Sequence, residues 1–240
     1  MKDNRMSFKR PDATFELAGV NAILVRFGNQ LNSALPAYLS ALRDHLLTRH
    51  PSIISQVVPA YTTILVEYDP RQCRMYDLQL LLERELQMVA FENTTQYGKL
   101  VELPVVYGGE HGPDLTAVAD ACGLSEQAVI ELHSGQDYQV YAQGFAPGFS
   151  YLAELPQQLR LPRLSTPRQK VAAGSVAIAE QQTAVYPYDS PGGWHILGYT
   201  PVTWFDPQAS PMTPVEVGDR VRFKAVTVQQ LDAWVKEQAR

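Results

Sequence analysis

Three cationic side chains and two adjacent glycines lie close together in the second half of the chain, between residues 163 and 193. Cationic groups and backbone N–H groups stabilise negative charge that develops during a reaction. We therefore predict that Arg168 is catalytic and that Arg163 and Lys170 bind an anionic group. Gly192 and Gly193 are predicted to form a backbone nest for an anion. Two alternatives stay open: Arg168 as a structural turn or interface residue, and the two glycines as a tight turn.

Neutral hydrogen-bonding side chains occur between short apolar runs of the same region. Such groups suit a small polar amide, because they can both donate to a carbonyl and accept from an N–H. A tyrosine on a sheet can equally well cap a core. The residues predicted to bind substrate in this way are Ser175, Gln182, Thr183, Tyr186 and Ser190.

His133 lies at the end of a predicted helix, two residues before Gly135. Because histidine titrates near neutral pH, we predict it as a catalytic acid or base; a helix-capping histidine is the alternative. Ser150 and Ser175 are not in a GxSxG setting, which argues against covalent serine catalysis. The five histidines and two cysteines show no metal-ligand spacing, so no metal site is predicted.

Aromatic side chains cluster just before and after this cationic region. Aromatic residues supply much of the binding energy of protein interfaces, and they also line ligand pockets. We predict a partner interface for this set, with a pocket lining as the alternative. The residues are Phe145, Phe149, Tyr151 and Trp194.

The first part of the chain, residues 1–97, is predicted to be a small α+β domain. Residues 15–17, 22–27, 53–58 and 63–68 have the apolar or β-branched pattern of strands. One helix is predicted from the apolar stripe Leu35, Leu39, Leu42 and Leu46, and a second follows Asp77 as its candidate N-cap. Strand pairs alternating with helices indicate a ferredoxin-like α/β sandwich.

The second part, residues 98–240, is rich in turns and is predicted to be a closed β-barrel. It holds 13 of the 15 glycines and 12 of the 17 prolines. Strands are predicted at 100–107, 138–143, 176–179, 184–186, 194–197, 202–205 and 220–226. Asp114 and Ser125 are predicted to begin two helices, and Gly123 to end the first of them. Residues 228–238 are predicted to form a terminal helix whose Leu231, Trp234 and Val235 pack on the rest of the domain.

Composition excludes several classes of protein. Hydrophobic residues make up 45% and charged residues 19%, which are globular values. The net charge of −5 disfavours nucleic acid, because phosphate binding needs a basic face. No run of about 18 apolar residues occurs, and the polar N-terminus has no signal-peptide pattern. We therefore expect a cytoplasmic protein that contacts neither nucleic acid nor membrane.

Three long motifs carry a resemblance to a known family. They read GFAPGFSYL, PRLSTPRQKVAAGSVAIAEQQTAVYP and SPGGWHILGYTPVTWFDP, in that order. The chain resembles the allophanate hydrolase subunit 1 or Kip inhibitor (KipI) family over nearly its whole length. This resemblance implies a cyclophilin-like barrel for residues 98–240, a likeness of fold that carries no prolyl isomerase activity with it.

The resemblance also implies a subunit of an ATP-dependent 5-oxoprolinase that converts 5-oxoproline to L-glutamate. Such a subunit is expected to be inactive alone. Its implied partners are a second cyclophilin-like subunit and a lactam-opening hydrolase subunit, with ATP and magnesium at a shared site. The chain has no GxxxxGK[ST] loop that would indicate an ATP site of its own.

Two other functions stay open at this point. The same barrel module is similar to the carboxyltransferase region of urea carboxylase, which implies action on urea-like or allophanate-like amides. That function needs a biotinylated carrier, and the sequence has no MKM biotin-acceptor motif. The family also implies an inhibitor of a sensor histidine kinase, which is a binding function without catalysis.

Overall fold

The computed structural model describes residues 12–89 and 98–238 of the chain. It divides the protein into two compact units, Met1–Gly98 and Lys99–Arg240. Each unit has a separate apolar core of buried side chains. The two units are therefore described one at a time.

The described part of unit 1 contains four antiparallel strands and two helices. The strands pair in the order β1-β2-β4-β3. The predicted stripe of four leucines on α1 is confirmed, since all four side chains are buried. The elements are β1 (Thr14–Leu17), β2 (Ala22–Arg26), α1 (Leu35–Arg49), β3 (Ile54–Ala60), β4 (Thr63–Tyr68) and α2 (Met75–Met88).

Two predictions for this unit change. A ferredoxin-like βαββαβ order is not confirmed, because the strand beside β2 at the sheet edge is β1, which precedes β2 in the chain. Asp77 does not cap α2, which begins at Met75 after the extended residue Arg74. Instead, the Arg74 guanidinium donates to the Asp77 carboxylate at 2.7 Å.

Unit 2 is built on a closed barrel of seven strands within the described residues. The order is β6-β13-β5-β12-β9-β10-β7, and β7 pairs back onto β6. A separate two-stranded ribbon joins β8 and β11. The strands are β5 (Leu100–Tyr107), β6 (Asp137–Gln143), β7 (Ser150–Ala153), β8 (Arg168–Val171), β9 (Ser175–Ala179), β10 (Gln182–Val185), β11 (Ser190–Gly192), β12 (His195–Tyr199) and β13 (Arg220–Ala225).

The helices of unit 2 are α3 (Leu115–Cys122), α4 (Glu126–Ser134) and α5 (Val228–Gln238). Gly123 ends α3 in the left-handed conformation, with φ of 66°. The Ser125 side chain caps α4 by accepting from the Ala128 N–H, as predicted. On α5, Leu231 is buried, but Val235 is 42% exposed, so the prediction that Val235 docks is wrong.

The strand prediction fails at four places. Residues 202–205 form no strand; they follow Pro201, which lacks an amide hydrogen, and the Thr200 hydroxyl accepts from the Val202 N–H. The short strands β7, β8 and β11 were not predicted. The broader prediction of an α+β protein with a closed β-barrel is confirmed. No helix in the described part of the chain is long and apolar enough to cross a membrane.

Candidate functional site

A small pocket of about 60 Å³ lies in unit 2 beside strands β7, β10 and β11. It brings together eight of the residues that the sequence singles out. Four were predicted to bind substrate or an anion, and four were predicted as a partner interface. The lining residues are Phe145, Phe149, Tyr151, Arg163, Tyr186, Pro191, Gly192, Gly193 and Trp194.

The alternation of side chains along β9 and β10 creates the aromatic wall of this pocket. On β9, Val176 and Ile178 belong to the main core of unit 2. The intervening Ala177 and Ala179 face a second cluster together with larger rings. Because alanines leave space above the sheet, bulky aromatic side chains fit over them. The rings of this cluster are Phe149, Tyr186 and Trp194, joined by the half-buried Tyr151.

Phe149 is the centre of the aromatic cluster. Its ring lies 5.0 Å from that of Tyr151, 5.6 Å from that of Tyr186 and 5.7 Å from that of Trp194, all in edge-to-face arrangement. Edge-to-face pairs at such distances are favourable, by about 1 kcal/mol each. Phe145 extends the set outward and is 77% exposed. The cluster therefore has a rigid interior and one ring at the surface.

Gly192 is required by close packing against Tyr186. A Cβ atom at position 192 would lie 2.1 Å from the Tyr186 hydroxyl oxygen. No real contact is that short, so any side chain at position 192 would displace the tyrosine. A Cβ at Gly193 would meet its nearest atom at 3.6 Å, which is an ordinary contact. The pair thus shapes the pocket floor, and the anion nest at these two glycines stays a prediction.

Arg163 provides the cationic group of the pocket. Its guanidinium carbon lies 5.9 Å from the centre of the Trp194 ring, a cation–π distance. Its Nε is 3.7 Å from a Glu180 carboxylate oxygen, and the side chain is 56% exposed. Such a loose, exposed ion pair is worth little, so Arg163 can exchange Glu180 for another anion.

Arg168 lies outside the lining but close to it, since it faces Gly192 across the β8–β11 ribbon. Its Nη2 donates to Asp114 Oδ1 at 2.6 Å, and the Ile196 N–H donates to Asp114 Oδ2 at 2.7 Å. Within the described residues, the buried Arg168 Nη1 has no hydrogen-bond partner. Asp114 therefore holds Arg168 in place, while the buried Nη1 of Arg168 keeps a donor that the described residues do not use.

Two tyrosines of the pocket are neutral hydroxyl groups near pH 7. Burial raises the pKa of Tyr186, and the Trp194 backbone N–H and the charges of Arg163 and Arg168 offset this only in part. Burial also raises the pKa of Tyr151, against the charge of Arg163. Both hydroxyls can therefore donate to a carbonyl or carboxylate oxygen.

Other predicted binding residues do not reach the pocket. Lys170 pairs with Asp189 at 2.7 Å on the exposed β8 strand. Ser175 is buried at the start of β9, and Ser190 pairs with Val171 in the ribbon. Gln182 lies on β10, opposite residues of β7 and β9. None of these four side chains lines this pocket, and their binding roles stay predictions.

His133 is fully buried and acts as a connector within unit 2. Thr183 already donates to the Ala177 carbonyl at 3.0 Å, so its oxygen accepts from His133 Nε2 at 2.9 Å. His133 Nδ1 then accepts from the Tyr107 hydroxyl at 2.7 Å. Burial lowers the pKa of His133 to about 3. Such a group does not exchange protons with a substrate near neutral pH, which argues against the predicted acid–base role.

Within residues 12–89 and 98–238, no group of three or more His, Cys, Asp or Glu side chains is placed to hold a metal ion. The pocket itself offers aromatic rings, tyrosine hydroxyls and one arginine, none of which is a preferred magnesium ligand.

Residues 13–215 match the model of the family described as "Carboxyltransferase domain, subdomain C and D". The chain belongs to this family. A relative from Bacillus subtilis (strain 168), named as a subunit of 5-oxoprolinase, is 35% identical over 231 residues, which cover 92% of this chain and 96% of the relative. A protein of the same name from Haemophilus influenzae is 40% identical over 68% of this chain and 72% of its own length.

Solved structures share the fold of this chain. The crystal structure of TTHA0988 aligns with 40% identity and a TM-score of 0.75, covering 86% of this chain. This chain corresponds to 40% of the length of that protein. The urea carboxylase of Kluyveromyces lactis aligns at 19% identity with a TM-score of 0.74, over 95% of this chain and 23% of its own. At that identity the likeness is one of fold.

Sequence reasoning missed two residues that complete the site. Asp114 was predicted as a helix cap, but its side chain binds Arg168 and the Ile196 N–H instead. Glu180, the partner of Arg163, was not predicted to take part. The only sequence signal for Asp114 is its place before α3, which does not reveal a contact with a residue 54 positions away.

Proposed function

We propose that this protein is a subunit of an ATP-dependent 5-oxoprolinase that converts 5-oxoproline to L-glutamate together with partner subunits. The observation that carries the proposal is the 35% identity to a named 5-oxoprolinase subunit over nearly the full length of both chains. The chain is proposed to be cytoplasmic and inactive alone. Its barrel is proposed to be of the cyclophilin-like type, used as a scaffold without isomerase activity.

The chemistry of the reaction fits a division of labour between subunits. Resonance makes a lactam carbonyl resistant to attack by water. Transfer of the γ-phosphoryl group of ATP to the lactam oxygen, with ADP leaving and the lactam N–H proton passing to a base, makes the carbonyl carbon more electrophilic. Cationic donors beside the transferring group stabilise the negative charge on its oxygens and on the departing ADP. We assign this role to Arg168, because Asp114 fixes its guanidinium and its Nη1 has no partner in the described part of the chain.

The nucleotide is proposed to bind at a surface that this chain shares with a second cyclophilin-like subunit. Pockets for drug-sized ligands measure roughly 300 to 1,000 Å³, far more than the pocket of about 60 Å³ seen in this chain. Any magnesium is proposed to lie at this shared surface, since Mg²⁺ in nucleotide sites is held by phosphates, water and only one or two carboxylates. A third, lactam-opening hydrolase subunit completes the proposed complex.

The two alternatives have less support. Carboxyl transfer to urea-like amides rests on a likeness of fold to urea carboxylase at 19% identity. Inhibition of a sensor histidine kinase has no specific observation in its favour.

The test is reconstitution of the complete activity. The chain is mixed with its candidate partner subunits, and release of glutamate from 5-oxoproline is measured with and without ATP. We expect glutamate only in the full mixture with ATP and none when any subunit is omitted. A mixture that demonstrably assembles and yet makes no glutamate would refute the proposal.

Arg168→Ala tests the assigned role within that complex. We expect a loss of turnover of about a hundredfold or more, as for removal of a donor at a developing oxyanion. Arg160→Ala is the matched control, because Arg160 is equally half-buried and ion-paired, with Glu154, but lies outside the pocket lining. Melting temperatures of both variants show whether the losses come from chemistry or from folding.

A further inference from the structure

The pocket combines a small volume with flat walls and a cation at its opening. Its size of about 60 Å³ gives room for roughly four to six water-sized groups. Trp194 and Tyr186 are nearly fully buried around it, so the walls are rigid. Arg163 lies over the Trp194 ring and is held only loosely by Glu180 at 3.7 Å. A ligand for this pocket should therefore be small, flat and anionic.

We infer that the pocket is the binding site for the lactam substrate, a five-membered cyclic amide that carries one carboxylate. Only the ring and its carbonyl oxygen enter the pocket, against Trp194 and Phe149, while the carboxylate lies at the opening and takes the place of Glu180 on Arg163. The inference rests on the proposed function and deepens it, because it assigns substrate binding to this subunit.

The polar groups around the pocket match those of such a ligand. A lactam offers one carbonyl oxygen and one N–H, and the Tyr186 hydroxyl at the floor can donate to the former. The charges of Arg163 and Arg168 both act on that hydroxyl. Arg168 Nη1 is the nearby donor without a partner in the described residues. A carbonyl held at Tyr186 would thus lie on the side where Arg168 can stabilise charge.

Two other occupants fit the same surroundings less well. A nucleotide carries a base, a sugar and several phosphates, which exceed the available volume. An apolar side chain from a partner subunit would cover the charge of Arg163 and leave it only the loose pair with Glu180, at a cost. The exposed ring of Phe145 stands at the rim, where it can contact a partner without filling the pocket.

Arg163→Gln in the assembled complex is the principal test. Loss of a charged hydrogen bond costs about 1.5 to 3 kcal/mol, so the KM for 5-oxoproline should rise about tenfold to a hundredfold. The KM for ATP should change less than about twofold. Lys224→Gln is the matched control, because Lys224 has the same exposure and is also paired with a glutamate, away from the pocket. It should leave both constants unchanged.

Direct binding to the isolated chain is the second measurement. Calorimetry or NMR titration compares 5-oxoproline with 2-pyrrolidinone, the same ring without a carboxylate. We expect the parent chain to prefer 5-oxoproline at least about tenfold, and Arg163→Gln to remove the preference. Gly192→Ala, whose Cβ would collide with Tyr186, should abolish binding of both compounds. If Gly192→Ala fails to fold, the binding comparison between the parent chain and Arg163→Gln still tests the inference, because Arg163 is exposed and its replacement should not affect folding.

The outcomes separate this inference from the proposed function. If the complex is active and Arg163→Gln leaves its KM for 5-oxoproline unchanged, the inference is overturned and the proposed function stands. A rise in the KM for ATP instead would make the pocket a nucleotide site. Loss of assembly in Arg163→Gln would make the pocket a partner interface. Either result, the rise in the KM for ATP or the loss of assembly, would overturn the inference. If the complex makes no glutamate, Arg163-dependent binding of 5-oxoproline still supports the pocket assignment, and its absence overturns both.

Discussion

His133 illustrates how burial changes what a residue can do. From the sequence it is a histidine at a helix end, with the ordinary ability to exchange protons. In the fold it accepts from the Tyr107 hydroxyl and donates to Thr183, while its ring stacks on Phe223 at 4.6 Å. These contacts join α4 to β5, β10 and β13. Its role is to hold these elements together as a neutral side chain.

Replacing His133 tests this role through the pH dependence of stability. Its folded pKa of about 3 lies below the ordinary value of 6.5, so the unfolded chain binds a proton first as pH falls. Protonation of His133 in the unfolded chain therefore lowers the stability of the parent protein by about 2 kcal/mol as pH falls from 7 to 5. His133→Gln should lower stability at pH 7 but remove that part of the slope, as measured by denaturant unfolding at both pH values.

The same substitution separates structure from catalysis. Glutamate formation by the reconstituted complex should survive in His133→Gln at temperatures where the variant is folded. A slope equal to that of the parent, or a selective loss of turnover in a fully folded variant, would contradict the assigned role.

Part of the site could be predicted from residue types alone. Phe149, Trp194, Arg163 and Gly192 lie in short motifs dense in aromatic rings, cations and glycines, and the structure brings them to one pocket. The contact of Arg168 with Asp114 could not be predicted, because it depends on how β12 and the start of α3 pack together. Burial of Thr183 and His133 depends on the barrel closing around them.

At the scale of elements, the sequence predicts long apolar strands well and short polar ones poorly. The strand β4 alternates buried and half-buried residues and is rich in β-branched side chains, so its pattern is clear. In β8 only Val171 is buried, and β11 is the sequence Ser-Pro-Gly. These two strands form because they pair with each other, and the local sequence pattern of neither one predicts that pairing. They nevertheless carry Arg168 and Gly192.

Helices α1 and α2 of unit 1 are tied together by a buried carboxylate. Glu85 is almost fully buried, and its Oε2 accepts from His45 at 2.6 Å. His50 lies 3.1 Å away, Arg84 3.4 Å and Arg49 3.6 Å. Burial raises the pKa of Glu85, but the hydrogen bonds of both histidines and the charge of Arg49 outweigh it, so the pKa is lowered. The carboxylate is therefore charged in the fold.

Glu85→Ala should destabilise the protein by about 3 kcal/mol at pH 7, as expected for breaking a buried charged contact. Because the folded pKa is below its ordinary value of 4.5, the stabilisation is present above pH 4.5 and is lost as pH falls through the folded pKa. Glu83→Ala, on the exposed side of the same helix, should change stability by less than about 0.5 kcal/mol. Urea unfolding at pH 7 compares the free energies of unfolding of the two variants. Equal losses of stability would contradict the role of buried Glu85 in joining α1 and α2.

At the scale of the whole molecule, an acidic chain presents a cluster of aromatic rings on one of its two units. Phe145 is the most exposed of them, and its backbone has φ of 71°, in the left-handed region that costs a non-glycine residue about 1 to 2 kcal/mol. A large apolar side chain held outward at such a cost indicates a function outside the fold of this chain. Contact with a partner subunit of the proposed complex would be such a function for Phe145.

Phe145→Asn separates assembly from folding. Asparagine tolerates the left-handed conformation better than other non-glycine residues, so the stability of the isolated chain should change by less than about 1 kcal/mol. Removing an exposed aromatic anchor should weaken association with the second barrel subunit about tenfold or more, measured by titration of the purified subunits. Met212→Asn, which removes another exposed apolar side chain of the same unit, should leave assembly unchanged. If both variants assemble like the parent, Phe145 does not contact the partner, and its strained conformation must instead serve the pocket rim.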